Sequence, residues 1–260
     1  AAPTPTRHPL ADLAMASCCP AGSWPALEAP ESYVAKGEES KLEDLPIYTV
    51  GDPASGKAII VLPEIFGWAG RVKGICDALA AEGYFVIMPN VHRDDPADFQ
   101  APGFDFMAWL GKHTWEGECK GDFEKMMAFL GSKGCASVGA IGFCWGVWAL
   151  VKASACGVPL KCGVGPHPST KLEGMYGGSE KEIYEKCTMP LLLMPAENDP
   201  DNVKPGGEFT TIAESKGGAC HPFPDMQHGW CSRGDITDAA VKRDAELALK
   251  KGIEFFKANL

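Results

Sequence analysis

No stretch of apolar residues in this chain approaches the roughly 18–20 that cross a bilayer. The first 14 residues, AAPTPTRHPLADLA, also lack the apolar centre of a secretory signal. They precede Met15 and read either as an expression tail or as the remnant of an organelle-targeting peptide. Basic charge is scarce: 24 Lys and Arg face 34 Asp and Glu, a net charge of −10. That excludes nucleic acid and anionic membrane as default partners, because both want a basic face. No Cys-x-x-Cys occurs and the six His make no zinc-finger spacing, so no metal centre is expected. The 11 Cys are odd in number and scattered along a chain too long for a secreted disulfide scaffold. Reduced thiols in a cytoplasmic protein are the expectation, or in an organelle if residues 1–14 are a presequence remnant. Low complexity is absent too: 30 Gly and 21 Pro make just under a fifth of the chain.

What is present suits one globular domain. A chain of 260 residues with 45% apolar and 22% charged residues buries a sizeable core without staples. Pro at 3, 5, 9, 20, 25 and 30 marks residues 1–30 as an irregular arm with no fold of its own. Residues 31–260 form the body, with no internal repeat or linker. Short apolar runs at 57–62 (KAIIVL), 84–88 (YFVIM), 137–141 (SVGAI), 161–164, 190–194 (PLLLM) and 219–223 read as strands. Helical periods at 71–82, 122–130, 147–155 and 237–257 lie among them, the last with Thr237 as N-cap. Apolar strands separated by helices imply a mostly parallel sheet covered on both faces. Residues 92–120 mix Phe99, Phe104, Phe106, Trp109 and Trp115 with charges. They read as a substrate-side excursion or as a loop packed on the body.

The sharpest motif is Gly142-Phe143-Cys144-Trp145-Gly146, directly after a strand and directly before a helix. This is a nucleophile elbow with Cys where Ser is usual. Side chains at the flanking glycines would collide with the neighbouring strand and helix. The helix N-terminus behind Cys144 favours its thiolate. Such a nucleophile needs an acid and then a His, in that chain order. Asp199, in PAENDPD after PLLLM, is the expected acid, with Asp201 and Glu197 as rivals. His228, in DMQHGW, is the expected base, whereas His221 lies within a strand and His167 precedes the acid.

PEIFGWAG, GFCWGVW, PAENDP and QHGW together resemble the dienelactone hydrolase (carboxymethylenebutenolidase-like) family of the α/β-hydrolase fold, through roughly residues 30–260. The resemblance implies a Cys144–His228–Asp199 triad. It implies that Glu64 lies beside the resting thiol and helps to make the thiolate. The backbone N–H groups of Ile65 and Trp145 match its oxyanion hole. Family members grip a substrate carboxylate with Arg, for which Arg93 and Arg233 stand near the active edge. Asn90, Trp145 and Val147 depart from the bacterial pattern. Trp68, Trp145 and Trp230 fall in loops beside the expected catalytic residues, where they line an apolar pocket or pack as core.

The resulting expectation is a monomeric hydrolase that opens lactones or small carboxylate-bearing esters through a thioester acyl-enzyme, without cofactor or metal. A general esterase or thioesterase would use the same triad. A catalytically idle binding or assembly subunit would dock through the Pro-rich arm. A thiol-redox protein would need a resolving thiol near Cys144, for which Cys231 is the local candidate.

Overall fold

The structure, a computed structural model, describes residues 18–26 and 33–260. The tail or presequence reading of residues 1–14 and the arm's end near residue 30 fall outside the described residues. Among the described residues eight strands form one sheet: β1 (Glu38–Leu42), β2 (Leu45–Val50), β3 (Lys57–Leu62), β4 (Phe85–Pro89), β5 (Ser137–Gly142), β6 (Gly163–Pro166), β7 (Leu191–Met194) and β8 (Ala219–Cys220). Their spatial order is β1-β2-β4-β3-β5-β6-β7-β8. The six strands from β4 to β8 are parallel, while β1 and β2 extend one edge as an antiparallel hairpin. The expected α/β-hydrolase architecture is therefore present, with an antiparallel addition.

Strand periodicity explains why both faces are covered. Ala58, Ile60 and Leu62 of β3 join one apolar cluster, and Ile59 and Val61 join the other. Leu191 and Leu193 of β7 likewise oppose Leu192 and Met194. Side chains alternate across a strand, so a continuous apolar run needs an apolar layer on each side. The helices are α1 (Val72–Ala81), α2 (Phe106–Lys112), α3 (Lys120–Ser132), α4 (Trp145–Ala155), α5 (Leu172–Met175), α6 (Glu180–Lys186), α7 (Glu208–Ser215), α8 (Trp230–Arg233) and α9 (Ala239–Asn259). α1, α8 and α9 pack on one face; α2, α3, α4, α6 and α7 pack on the other.

Several boundaries differ from the sequence reading. Asp238, not Thr237, caps α9, its carboxylate accepting from the N–H groups of Ala240 and Val241. The 92–120 stretch is ordered structure, not a bare loop. It holds α2 and a π-turn over Trp115–Cys119, and its Trp109, Leu110 and Trp115 are buried. The last expected strand shrinks to Ala219–Cys220, with a single bridge from Ala196 to Phe223 continuing it.

The described part of the arm is irregular, as expected, but it is docked. Ser169 Oγ donates to the Cys18 carbonyl at 2.9 Å, Asn198 Nδ2 to the Ala21 carbonyl at 3.0 Å, and Trp24 N–H to the His228 carbonyl at 2.9 Å. Residues 18–24 thereby lie across the C-terminal edge of the parallel strands.

Candidate active site

The elbow follows from steric necessity. A Cβ at Gly142 would meet the Gly146 carbonyl, and one at Gly146 would meet the Leu62 carbonyl of β3. Only glycine lets strand, turn and helix approach so closely. Between them Cys144 adopts φ +53°, in a left-handed region that side-chain-bearing residues rarely enter. Its sulfur is thus presented at the N-terminus of α4, where no side chain caps the helix.

The acid and base loops follow β7 and β8. His228 Nδ1 and Asp199 Oδ1 are 2.6 Å apart, and both side chains are fully buried. Asp199 Oδ2 accepts from the Ala196 N–H at 2.7 Å, and the Asn198 side chain accepts from the His228 N–H at 2.7 Å. The carboxylate is fixed before it orients the ring. Of its rivals, Asp201 is solvent-exposed and bound to Lys204, and Glu197 accepts from Gln227 Nε2. Burial alone would push the imidazole down. The charge and hydrogen bond of Asp199, and the neighbouring Cys19, outweigh it and raise the His228 pKa to about 9.

Glu64 is buried but does not hydrogen-bond to Cys144. Its carboxylate accepts from Ser232 Oγ and, at 2.8 Å, from Arg233 Nε. It faces His167 and His228, with one donor atom from each of the three within 4.8 Å of the others. Arg233 is itself buried, reaches Cys19 Sγ at 3.4 Å, and stacks over Phe66 at 4.9 Å. Ile65 is fully buried in the adjoining turn, and Trp145 opens α4, where terminal N–H groups lack helical acceptors.

Arg93 is committed elsewhere. Its guanidinium binds both oxygens of buried Asp122 at 2.9–3.1 Å and also Asp44, so it tethers a loop and does not join this cleft. The three tryptophans pack as core or cover. Trp145 is fully buried against His92 and Trp148; Trp230 is buried against His167 and Phe223; Trp68 lies under Lys73 Nζ. A cavity of about 280 Å³ lies on the α1/α9 face, lined by Ile75, Phe143, Cys231 and Leu249 among others, and none of these tryptophans borders it.

The sequence reading missed what surrounds Cys144. Its sulfur is 3.6 Å from Cys18 Sγ, 3.8 Å from Cys19 Sγ and 3.3 Å from Ser169 Oγ. Cys231 belongs to the opposite apolar cluster, so the neighbouring thiols come from the arm. The arm also reverses the expected ionisation. Complete burial, then the two adjacent sulfurs, hold the Cys144 thiol well above its ordinary pKa. Hydrogen bonds from Cys144 and Cys18, against the opposing effect of burial, pull Cys19 well below, with help from Arg233 and His228. His167 was also passed over as a neighbour. It is fully buried at φ +39°, its ring 4.9 Å from that of His228, and burial holds it neutral.

Comparison with known proteins identifies the family. Residues 46–260 match the model of the dienelactone hydrolase family. Hydrolase pyvD of Aspergillus violaceofuscus is 26% identical over 96% of this chain and 99% of its own. A carboxymethylenebutenolidase homolog of Mus musculus is 27% identical over 88% of this chain and 90% of its own. A solved structure of a candidate dienelactone hydrolase from Klebsiella pneumoniae has the same fold. Its TM-score is 0.66 at 17% identity, over 85% of this chain and 98% of that one.

Proposed function

The chain belongs to the dienelactone hydrolase family and is a carboxylic ester hydrolase, and on that premise we propose that Cys144, His228 and Asp199 open lactones or small carboxylate-bearing esters. The observation that carries this reading is the buried 2.6 Å His228–Asp199 pair on the loops beside a left-handed Cys144. A substrate must first displace residues 18–24, since Cys144 is fully buried beneath them.

Once the arm leaves, the two sulfurs that hold Cys144 neutral leave with it. His228 then keeps the proton and Cys144 carries the negative charge, as in other cysteine–histidine pairs. The thiolate attacks the lactone carbonyl carbon. The carbonyl π electrons move to oxygen, where the N–H groups of Ile65 and Trp145 receive the charge. Collapse expels the ring oxygen, which takes the His228 proton. The opened product stays tethered as a thioester. Neutral His228 then deprotonates water, hydroxide adds to the thioester carbonyl, and collapse returns the Cys144 thiolate. Asp199 keeps the ring in one tautomer throughout. Arg233, its guanidinium freed from Cys19, offers two parallel N–H donors to a substrate carboxylate.

The test is loss of dienelactone absorbance on adding the protein, beside the Cys144→Ala variant. Loss with wild type alone supports the reading. If neither protein acts on the lactone but wild type cleaves a simple aryl ester, the triad stands and the lactone assignment falls. Equal rates for wild type and Cys144→Ala on every ester would overturn the mechanism.

A further inference from the structure

The hydrolytic scheme uses one thiol, yet three meet at the elbow. Cys18 Sγ lies 3.6 Å from Cys19 Sγ and 3.6 Å from Cys144 Sγ, and Cys19 Sγ lies 3.8 Å from Cys144 Sγ. The sulfurs therefore form a nearly equilateral triangle. Thiolates bound about 2.3 Å from a tetrahedral zinc ion stand roughly 3.8 Å apart. The triangle already has the size of one face of that tetrahedron. We propose that Cys18, Cys19 and Cys144 form a three-thiolate site for a soft closed-shell cation, with zinc as the natural occupant.

Two further features of the site fit that role. The arm is positioned by three hydrogen bonds at Cys18, Ala21 and Trp24, so both ligands it contributes arrive pre-set. His228 borders Cys19, but its ring groups with Glu64 and His167, so the three sulfurs alone define the site. Three thiols lose their protons on binding, and the complex's net negative charge would lie beside Arg233, which stands 3.4 Å from Cys19 Sγ and also pairs with Glu64. The motif escapes sequence inspection because Cys18 and Cys144 are 126 residues apart.

A cation held there would tie the arm to the elbow and occupy Cys144. That consequence rests on the reading of Cys144 as nucleophile; the binding itself does not. Reduced full-length protein is titrated with Zn²⁺ against a chromophoric chelator, and in parallel with Co²⁺, whose thiolate-to-metal absorbance reports sulfur ligation. One equivalent bound, a thiolate band, and loss of both in Cys144→Ala are expected. Cys18→Ser and Cys19→Ser should each weaken binding by more than about 10-fold, while Cys156→Ser, at an exposed thiol, leaves it unchanged. Absence of a thiolate band in wild type, or a band that Cys18→Ser and Cys19→Ser leave intact, overturns the proposal. These readouts need no turnover, so they separate its failure from failure of the hydrolase reading. If Zn²⁺ halts ester cleavage in wild type and not in Cys18→Ser/Cys19→Ser, the cation also closes the site.

Discussion

Cys144 and the cysteines that lie against it are held in place by different means. Cys144 follows closely on β5, whose ladder pairs with β3 across six residues on one side and with β6 on the other. Glycines at 142 and 146 let strand, turn and helix close tightly around it. Cys18 and Cys19 belong to no strand or helix and reach the same place through a few hydrogen bonds to loops far away in sequence. Built-in geometry suits a reacting atom, which must be placed before substrate arrives. Docking by a handful of exchangeable bonds suits a cover, which must leave. Substitutions in the two regions should therefore differ in kind: elbow changes remove chemistry or folding, whereas arm changes alter access.

The largest contrast is at the sulfur. Cys144→Ala should reduce kcat on a hydrolysed ester by about 10⁶-fold, leaving what the oxyanion donors and binding supply. Its thermal unfolding should barely move, which differential scanning measures directly. A loss of less than about 10-fold would mean that the elbow is only architecture.

His228 touches both regions, and pH separates their contributions. The folded protein holds its proton up to about pH 9, whereas an unfolded histidine loses it near 6.5. The pair's stabilisation is therefore full below about pH 6.5 and is lost as pH rises through about 9, a change of roughly 3 kcal/mol. Denaturant midpoints between those pH values should fall in wild type and stay flat in Asp199→Asn, where the raised pKa has lost its main cause.

Gly146→Ala tests the scaffold without touching the chemistry. The added methyl would drive into the Leu62 carbonyl, backbone that cannot step aside, and cost about 2–3 kcal/mol. Gly131, which has open space around it, should accept alanine without that penalty.

The same division explains what the sequence displayed. The parallel strands and the elbow are local patterns: apolar runs, flanking glycines, a carboxylate and a histidine on successive loops. Their loops lie together because each parallel strand's C-terminal end points to one edge of the sheet. The β1–β2 hairpin left no such trace. Its outer strand, Glu-Glu-Ser-Lys-Leu, is exposed at the sheet edge, and β2 carries Pro46. Arg93 looked like a cleft residue because it follows β4, but a left-handed backbone at φ +53° accompanies a guanidinium bound to Asp122 and Asp44. The three-sulfur cluster had no readable signal, since adjacent cysteines in a proline-rich arm say nothing about a partner more than a hundred residues away.

The smallest expected effect falls on the arm and discriminates best between a cover and a structural strut. Trp24→Pro removes the N–H that donates to the His228 carbonyl and leaves every elbow residue in place. One neutral hydrogen bond is worth about 1 kcal/mol, so arm docking should weaken by roughly 5-fold. Ester cleavage should then rise by up to that factor in kcat/KM, because a larger fraction of the protein has an open site. Reaction of Cys144 with a thiol alkylator should accelerate in step, followed by mass spectrometry of its peptide. If the variant instead lost activity and alkylation were unchanged, residues 18–24 would be a wall of the substrate site. The closed site seen here would then be its working form.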